Sequence, residues 1–195
     1  LEAAIADELR SDRAARRRDA IAVALGLHGL RVGEVCRAER KHFFAGGQTL
    51  DVPEFKRGRG RKIPLHQSVV TAIQAELTGR ASTASFLLSS SRGSKLQPRR
   101  PQSLALAIFD LLLGPHHNLT FHSLRHTFAM RLYAETKDVF LVQRYLGHRS
   151  VKNTEVYARS LAEIPDSCMV KVAIGAGPLT VTPGRLPGAQ LKLFS

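Results

Sequence analysis

The chain has 195 residues, of which 29 are Lys or Arg and 16 are Asp or Glu, so its formal charge is +13 at neutral pH. Hydrophobic residues at 44% and charged residues at 23% are ordinary globular values and exclude wholesale disorder. The charge points to a polyanionic partner, nucleic acid before an anionic membrane. No apolar run reaches the roughly 18–20 residues that a spanning helix needs, so a membrane partner is not expected. The opening Leu1-Glu2-Ala3-Ala4 has neither the basic nor the apolar stretch of a secretory signal. Two cysteines, Cys36 and Cys168, exclude a disulfide framework and a Cys-rich zinc site. The expected location is cytoplasmic, associated with the nucleoid.

In chain order, residues 1–28 read as helical, with an arginine cluster (Arg13, Arg16, Arg17, Arg18) ahead of the apolar run 20–27. Residues 31–39 predict a further helix, with Val32 and Val35 inward. The period then changes. Residues 42–45, 49–52 and 62–65 are strand candidates, separated by Gly46-Gly47 and by the Arg57–Gly60 turn. Val69, Val70, Ile73 and Leu77 restore the helical spacing, which Gly79 closes. Residues 89–101 form a polar, basic loop, and 103–113 predict a buried helix that Gly114-Pro115 ends. Three short helices come next, at 122–136, 139–146 and 151–160. Beyond Pro165 the chain is rich in Gly and Pro and reads as extended segments and turns. The fold class expected is mainly α with a small three-stranded antiparallel sheet (α+β).

Several stretches carry polar groups suited to one task. Gly29-Leu30-Arg31-Val32-Gly33-Glu34 places an arginine where a turn enters a helix. His122-Ser123-Leu124-Arg125-His126 puts His122 and Arg125 on one helix face. Leu146-Gly147-His148 ends a helix, Tyr157 lies nine residues on, and Lys56 sits beside the Gly/Arg turn. Guanidinium groups match phosphate oxygens with paired, charge-assisted hydrogen bonds. Histidines donate to the same oxygens or move protons near neutral pH. A lysine protonates a leaving oxygen, and a tyrosine attacks phosphorus once cations or a base assist it. No carboxylate cluster suggests a magnesium site. His122 and His126 lack the intervening Glu of a zinc helix, so no metal and no cofactor are expected. Singly, each residue has a plainer role: an ion-paired surface arginine, a helix-end histidine, a half-buried tyrosine, a solvated arginine turn. The arginines before residue 19 fit a solvated helix face as well as a DNA contact.

In order and spacing the set resembles the catalytic domain of the tyrosine recombinases, the family of phage integrases and Xer recombinases. Gly29–Val35 is similar to its first-arginine motif, 122–129 to its H-x-x-R box, and 146–150 with Thr154-x-x-Tyr157 to its L-G-H box and nucleophile. The resemblance runs from about residue 15 to 161. It implies that Arg31 and Arg125 clamp the scissile phosphate, that His122 and His148 complete the pocket, and that Tyr157 attacks. His122 is the better candidate to accept the tyrosine proton. Ile63-Pro64-Leu65 resembles the segment after the family's lysine hairpin, which aligns Lys56 with the lysine and leaves Lys62 as the alternative. Glu34 matches a supporting acidic position.

The activity implied is site-specific DNA breaking and rejoining through a 3′-phosphotyrosyl intermediate, without metal or ATP. Double-stranded DNA is the implied partner, with other protomers in a tetrameric synapse on it. Arg13, Arg16, Arg17, Arg57, Arg59, Arg99 and Arg100 are the candidate DNA contacts. The alternatives are a type IB topoisomerase-like relaxing activity and a DNA-binding module with vestigial catalysis. The expected division is a catalytic domain over 1–164 and a tail over 165–195 that packs on a neighbouring protomer or folds back in cis. The family's N-terminal core-binding domain is absent from these residues, which suggests a catalytic fragment, with a naturally short recombinase as the alternative.

Overall fold

The computed structural model describes residues 2–54, 59–79, 85–90, 93–150 and 154–155, with side chains from residue 5 onward. The elements, in order, are α1 (Glu2–Leu9), α2 (Ala14–Leu27), α3 (Val32–Arg37), β1 (Phe43–Phe44), β2 (Thr49–Val52), β3 (Arg61–Pro64), α4 (Gln67–Thr78), α5 (Arg99–Leu113), α6 (Phe121–Thr136) and α7 (Val139–Leu146). A single 3-10 turn at Arg40–His42 leads into β1. The strands pair antiparallel in the order β1-β2-β3. The mainly helical class with one small antiparallel sheet is therefore as the sequence predicts. No described helix is long and apolar enough to cross a membrane.

The centre of the fold is α2. Its second half, Ala20–Leu27, is buried at every position, because the run is apolar on all sides and helices pack around it. It contacts α1, α4, α5 and α6. The helical stretch expected over 1–28 is two helices. Arg10, Ser11 and Asp12 turn the chain, and Arg13 is the extended residue before α2. The break lets Ile5 and Leu9 fold back into the core.

The C-terminal end of α2 fixes how the chain enters α3. Gly29 has a left-handed φ of +85°, and a Cβ there would lie 2.7 Å from the Phe128 ring. Only glycine meets both demands at low cost. Beside it, His28 is wholly buried. Its Nδ1 lies 2.7 Å from the Ala24 carbonyl, and its Nε2 accepts the His66 backbone N–H at 3.2 Å. Nδ1 therefore carries the proton and donates, the ring is neutral, and α2 is joined to the start of α4.

In the sheet, Leu50 opposes Ile63 and both are buried, while Asp51 opposes Lys62 on the outer face. Alternation along β3 then sends Arg61 inward with Ile63 and Lys62 outward. Lys62 is 64% exposed, pairs with Asp51 at 3.7 Å and lies over the Phe44 ring.

Two expectations need correction. The basic loop ends earlier than predicted, because Arg99 and Arg100 already belong to α5. That helix is also not a buried one. Pro101, Ala105 and Phe109, one turn apart, form its inner ridge, whereas Leu111 and Leu113 are 82% and 62% exposed. The predicted helix over 151–160 is described only at Thr154 and Glu155, which are helical. The tail lies outside the described residues.

Two outcomes are expected. Gly29→Ala should cost about 2–4 kcal/mol in chemical denaturation, from the left-handed backbone and the displaced Phe128 ring. The His28 ring is held neutral mainly by burial, which lowers its pKa from 6.5 to about 4. Between those values the unfolded chain binds the extra proton. Stability is therefore full above pH 6.5 and falls as pH drops towards 4, by about 3 kcal/mol from this ring alone. Denaturation midpoints measured across that range read the slope, and His28→Gln should reduce it by this ring's share.

Candidate active site

Three helix termini converge beside β3. Arg31 stands at the entry of α3, where its backbone N–H donates to Glu34 Oε2 at 2.7 Å and its guanidinium to Oε1 at 3.2 Å. Thr120 caps α6: its hydroxyl accepts the His122 N–H, and the Ser123 hydroxyl accepts the Thr120 N–H. That reciprocal cap fixes His122 in the first turn and sets Arg125 one position short of a turn further in. Asp138 caps α7 with two 2.9 Å bonds from Phe140 and Leu141. The helix ends at Gly147, which is left-handed at φ +65°, and His148 comes directly after it.

Arg125 joins these termini. Its guanidinium is buried, and it donates to the Gly29 carbonyl at 2.5 Å and to the Leu146 carbonyl at 2.6 Å. One acceptor lies two residues before Arg31 and the other two residues before His148. Glu34 Oε2 sits 3.7 Å from the same guanidinium. A guanidinium carries five N–H donors, so bracing the backbone and binding a phosphate are compatible roles.

Glu34 is the acidic centre of the cluster. Burial alone would raise its pKa, but the bonds and charge of Arg61, the Arg31 N–H and the charge of Arg125 outweigh it. The result is a pKa lowered to about 2. The histidines move the other way. Burial, then the charges of Arg125, Arg31 and Arg61 and the His122 ring, lower His148 to about 4. Burial first, then His126, Arg125 and Arg31, also lower His122. The His122 and His126 rings meet edge-on with centroids 4.6 Å apart. At neutral pH His148 is therefore uncharged, and the depressed pKa of His122 likewise favours a neutral ring that can accept a proton. His148 Nδ1 lies 2.9 Å from the hydroxyl of Thr154, which is wholly buried.

The β2–β3 connection is tied to the α7 terminus. The Arg59 N–H donates to the Gly147 carbonyl at 3.0 Å, and Arg149 pairs with Glu54. A Cβ on Gly147 would lie 2.8 Å from the Arg59 carbonyl and 3.0 Å from the Arg61 guanidinium. Arg59, Gly60, Phe140, Gln143, Arg144, Gly147 and His148 line a cleft of about 180 Å³ at this junction.

Of the residues expected from sequence, Arg31, Glu34, His122, Arg125 and His148 come together. Lys56, Arg57 and Tyr157 lie outside the described residues. Lys62 points out from the far face of the sheet. Arg13, Arg16 and Arg99 are exposed, Arg16 lying 3.5 Å from Glu8. Arg17 turns inward with Arg18 to the buried Glu76, at 3.4 and 3.6 Å, so burial commits it to an internal carboxylate. Arg100 forms a forked pair with Asp19, with bonds of 2.9 and 2.7 Å. Sequence reasoning missed Arg61, hidden in an arginine-rich turn. The period-2 alternation that buries Ile63 was the signal that would have placed it inward.

Glu34→Gln removes the charge that compensates the buried Arg61. A stability loss of about 3 kcal/mol is expected, seen as a fall in Tm of about 6–12 °C. A change within 2 °C in calorimetry would contradict the central place given to this carboxylate.

Comparison with known proteins bears on family and fold. The phage integrase family matches residues 2–163. Tyrosine recombinase XerC of a Methylobacterium species is 33% identical over 162 residues, covering 79% of this chain and 49% of the relative. Tyrosine recombinase XerA of Pyrococcus furiosus is 29% identical over 135 residues, covering 69% and 47%. The chain thus spans about half the length of the curated relatives it matches. A crystal structure of XerA recombinase shares the fold, with a TM-score of 0.67 and 23% identity over 88% of this chain and 61% of that one. So does XerH site-specific recombinase bound to its difH substrate in a pre-cleavage complex, with a TM-score of 0.68 and 20% identity over 87% and 50%. With the family match covering most of its length and a relative above 30% identity, this chain belongs to the phage integrase family.

Proposed function

We propose that this chain is the catalytic domain of a tyrosine site-specific recombinase that cuts and rejoins double-stranded DNA. The observation that carries the reading is the convergence of Arg31, Arg125, His122 and His148 around one ionised carboxylate, at helix ends that Arg125 braces together. Relatives named as tyrosine recombinases, and the XerH structure on its DNA substrate, support it.

In this mechanism Arg31 and Arg125 bind the non-bridging oxygens of the scissile phosphate. Tyr157 attacks phosphorus, and His122, a ring disposed to be neutral, accepts its proton. The phosphodiester P–O5′ bond breaks as the P–O bond to tyrosine forms. Lys56 gives a proton to the leaving 5′ oxygen. The products are a 3′-phosphotyrosine and a 5′-hydroxyl, and attack by a second 5′-hydroxyl reverses the step. Catalysis comes from positioning and from fixed positive charge where negative charge develops. The outward face of Lys62 supports Lys56 as the lysine. Residues 1–164 form the catalytic domain in this reading, and the working assembly is a tetramer on DNA. Arg13, Arg16, Arg57, Arg59 and Arg99 contact the duplex backbone, which positions the protein without specifying sequence.

The test uses duplexes nicked beside a randomised cleavage region, incubated with the chain in EDTA and run on a denaturing gel. Wild type should give a covalent protein–DNA band, and Tyr157→Phe none. Arg31→Ala should lower its rate on the order of 10²–10³-fold. A band that persists in Tyr157→Phe overturns the nucleophile. Exchange of strands between two duplexes separates recombination from topoisomerase-like relaxation.

A further inference from the structure

Arg61 belongs to none of the sequence motifs, yet it makes the shortest contacts in the cluster's ion-pair network. It is 4% exposed, and its two terminal nitrogens bond the two oxygens of Glu34 separately, at 3.0 Å to Oε1 and 2.8 Å to Oε2. Arg31 and Arg125 reach the same carboxylate at 3.2 and 3.7 Å. The Arg61 guanidinium also lies 3.5 Å from the Gly29 carbonyl, and its side chain fills the space that a Cβ on Gly147 would need. It therefore touches the segment before Arg31, the carboxylate of α3 and the turn before His148.

The charge arithmetic gives this contact a purpose. Three guanidiniums and one carboxylate leave two positive charges. A phosphodiester carries one negative charge, and the five-coordinate state formed by attack carries close to two. A carboxylate can be held strongly by one forked partner. Because Arg61 takes that place, the Arg31 guanidinium makes only a single 3.2 Å contact with Glu34 and Arg125 stays 3.7 Å away.

We propose that Arg61 is a positioning residue of the phosphate site: it holds Glu34 by both oxygens, so that Arg31 and Arg125 keep their charge and orientation for the phosphodiester. The proposal rests on the recombinase function proposed for this chain. Lysine cannot replace this residue, since a point charge lacks the fork.

The test uses the full chain with Arg61→Lys, which keeps the charge and loses the fork, and Arg61→Met, which loses both. Three readouts separate positioning from packing. By NMR, the His148 ring should titrate near 4 in wild type and in Arg61→Lys, and rise in Arg61→Met by the share the Arg61 charge contributes behind burial, Arg125 and Arg31. The Arg31 amide, which donates to Glu34, should exchange about tenfold faster in Arg61→Lys while the Leu25 amide in α2 does not change. Covalent adduct should form about 10- to 100-fold more slowly per folded molecule in Arg61→Lys, the scale on which partners that orient a binding group act. If Arg61→Met does not fold, the amide exchange and adduct rate of Arg61→Lys decide. An unmoved Arg31 amide with an undiminished adduct rate in Arg61→Lys overturns the proposal, and so does a His148 titration unchanged in a folded Arg61→Met. A wild-type chain that forms no adduct, while His148 and Arg31 respond as expected, sinks the proposed function and not the coupling through Arg61.

Discussion

A guanidinium taken out of water must find its acceptors and counter-charge inside the fold, and much of the site's geometry depends on how Arg125 does so. Its acceptors include two backbone carbonyls from opposite ends of the site, Gly29 and Leu146, and Glu34 supplies nearby charge. The Leu146 carbonyl is the last of α7, where helices leave acceptors without intrahelical partners, and the Gly29 carbonyl lies two residues beyond the end of α2. A single side chain thus meets the need of both carbonyls and, in doing so, fixes the spacing between Arg31 and His148. The need is mutual. Without the carbonyls the buried charge would be prohibitive, and without the charge those carbonyls would lose the donors that satisfy them there.

The same lack of water shapes the acid–base character of the site. Burial and positive neighbours push His148 and His122 down, whereas Arg61, Arg31 and Arg125 drive Glu34 down against its own burial. One environment therefore yields an anion that stays ionised far into acid and imidazoles biased to the neutral form. That combination suits phosphoryl transfer, in which cations must meet developing negative charge and a base must remain unprotonated.

Much of this was legible in the amino-acid order, for physical reasons that differ from residue to residue. The i, i+3 relation of His122 and Arg125 on a helix is a local fact, and so is the position of Arg31 behind a glycine turn. The three strands announced themselves by period and by intervening glycines. What could not be read was where long side chains go. Arg17 and Arg18 stand in a run that suggests a solvated or DNA-facing surface, and only the fold of α4 against α2 brings Glu76 within reach of them. Arg61 was obscured because it is one of three arginines, with Arg57 and Arg59, that alternate with glycine, and composition alone cannot say which one the sheet turns inward. The α5 leucines misled in the opposite direction. Apolarity predicts burial only where another element arrives to cover it, and at Leu111 and Leu113 none of the described residues does so.

The left-handed glycines carry a last consequence. Gly29 precedes Arg31 by two positions, and Gly147 immediately precedes His148. Arg31 and His148 are therefore delivered by chain reversals and not by a register on a helix face. Volume-conserving exchange among the core residues of α2 or α7 leaves such a reversal in place, since it depends on local backbone geometry and on Arg125 rather than on any one packing arrangement. The residues of these helices are thus free to change while the turns that deliver Arg31 and His148 stay in place.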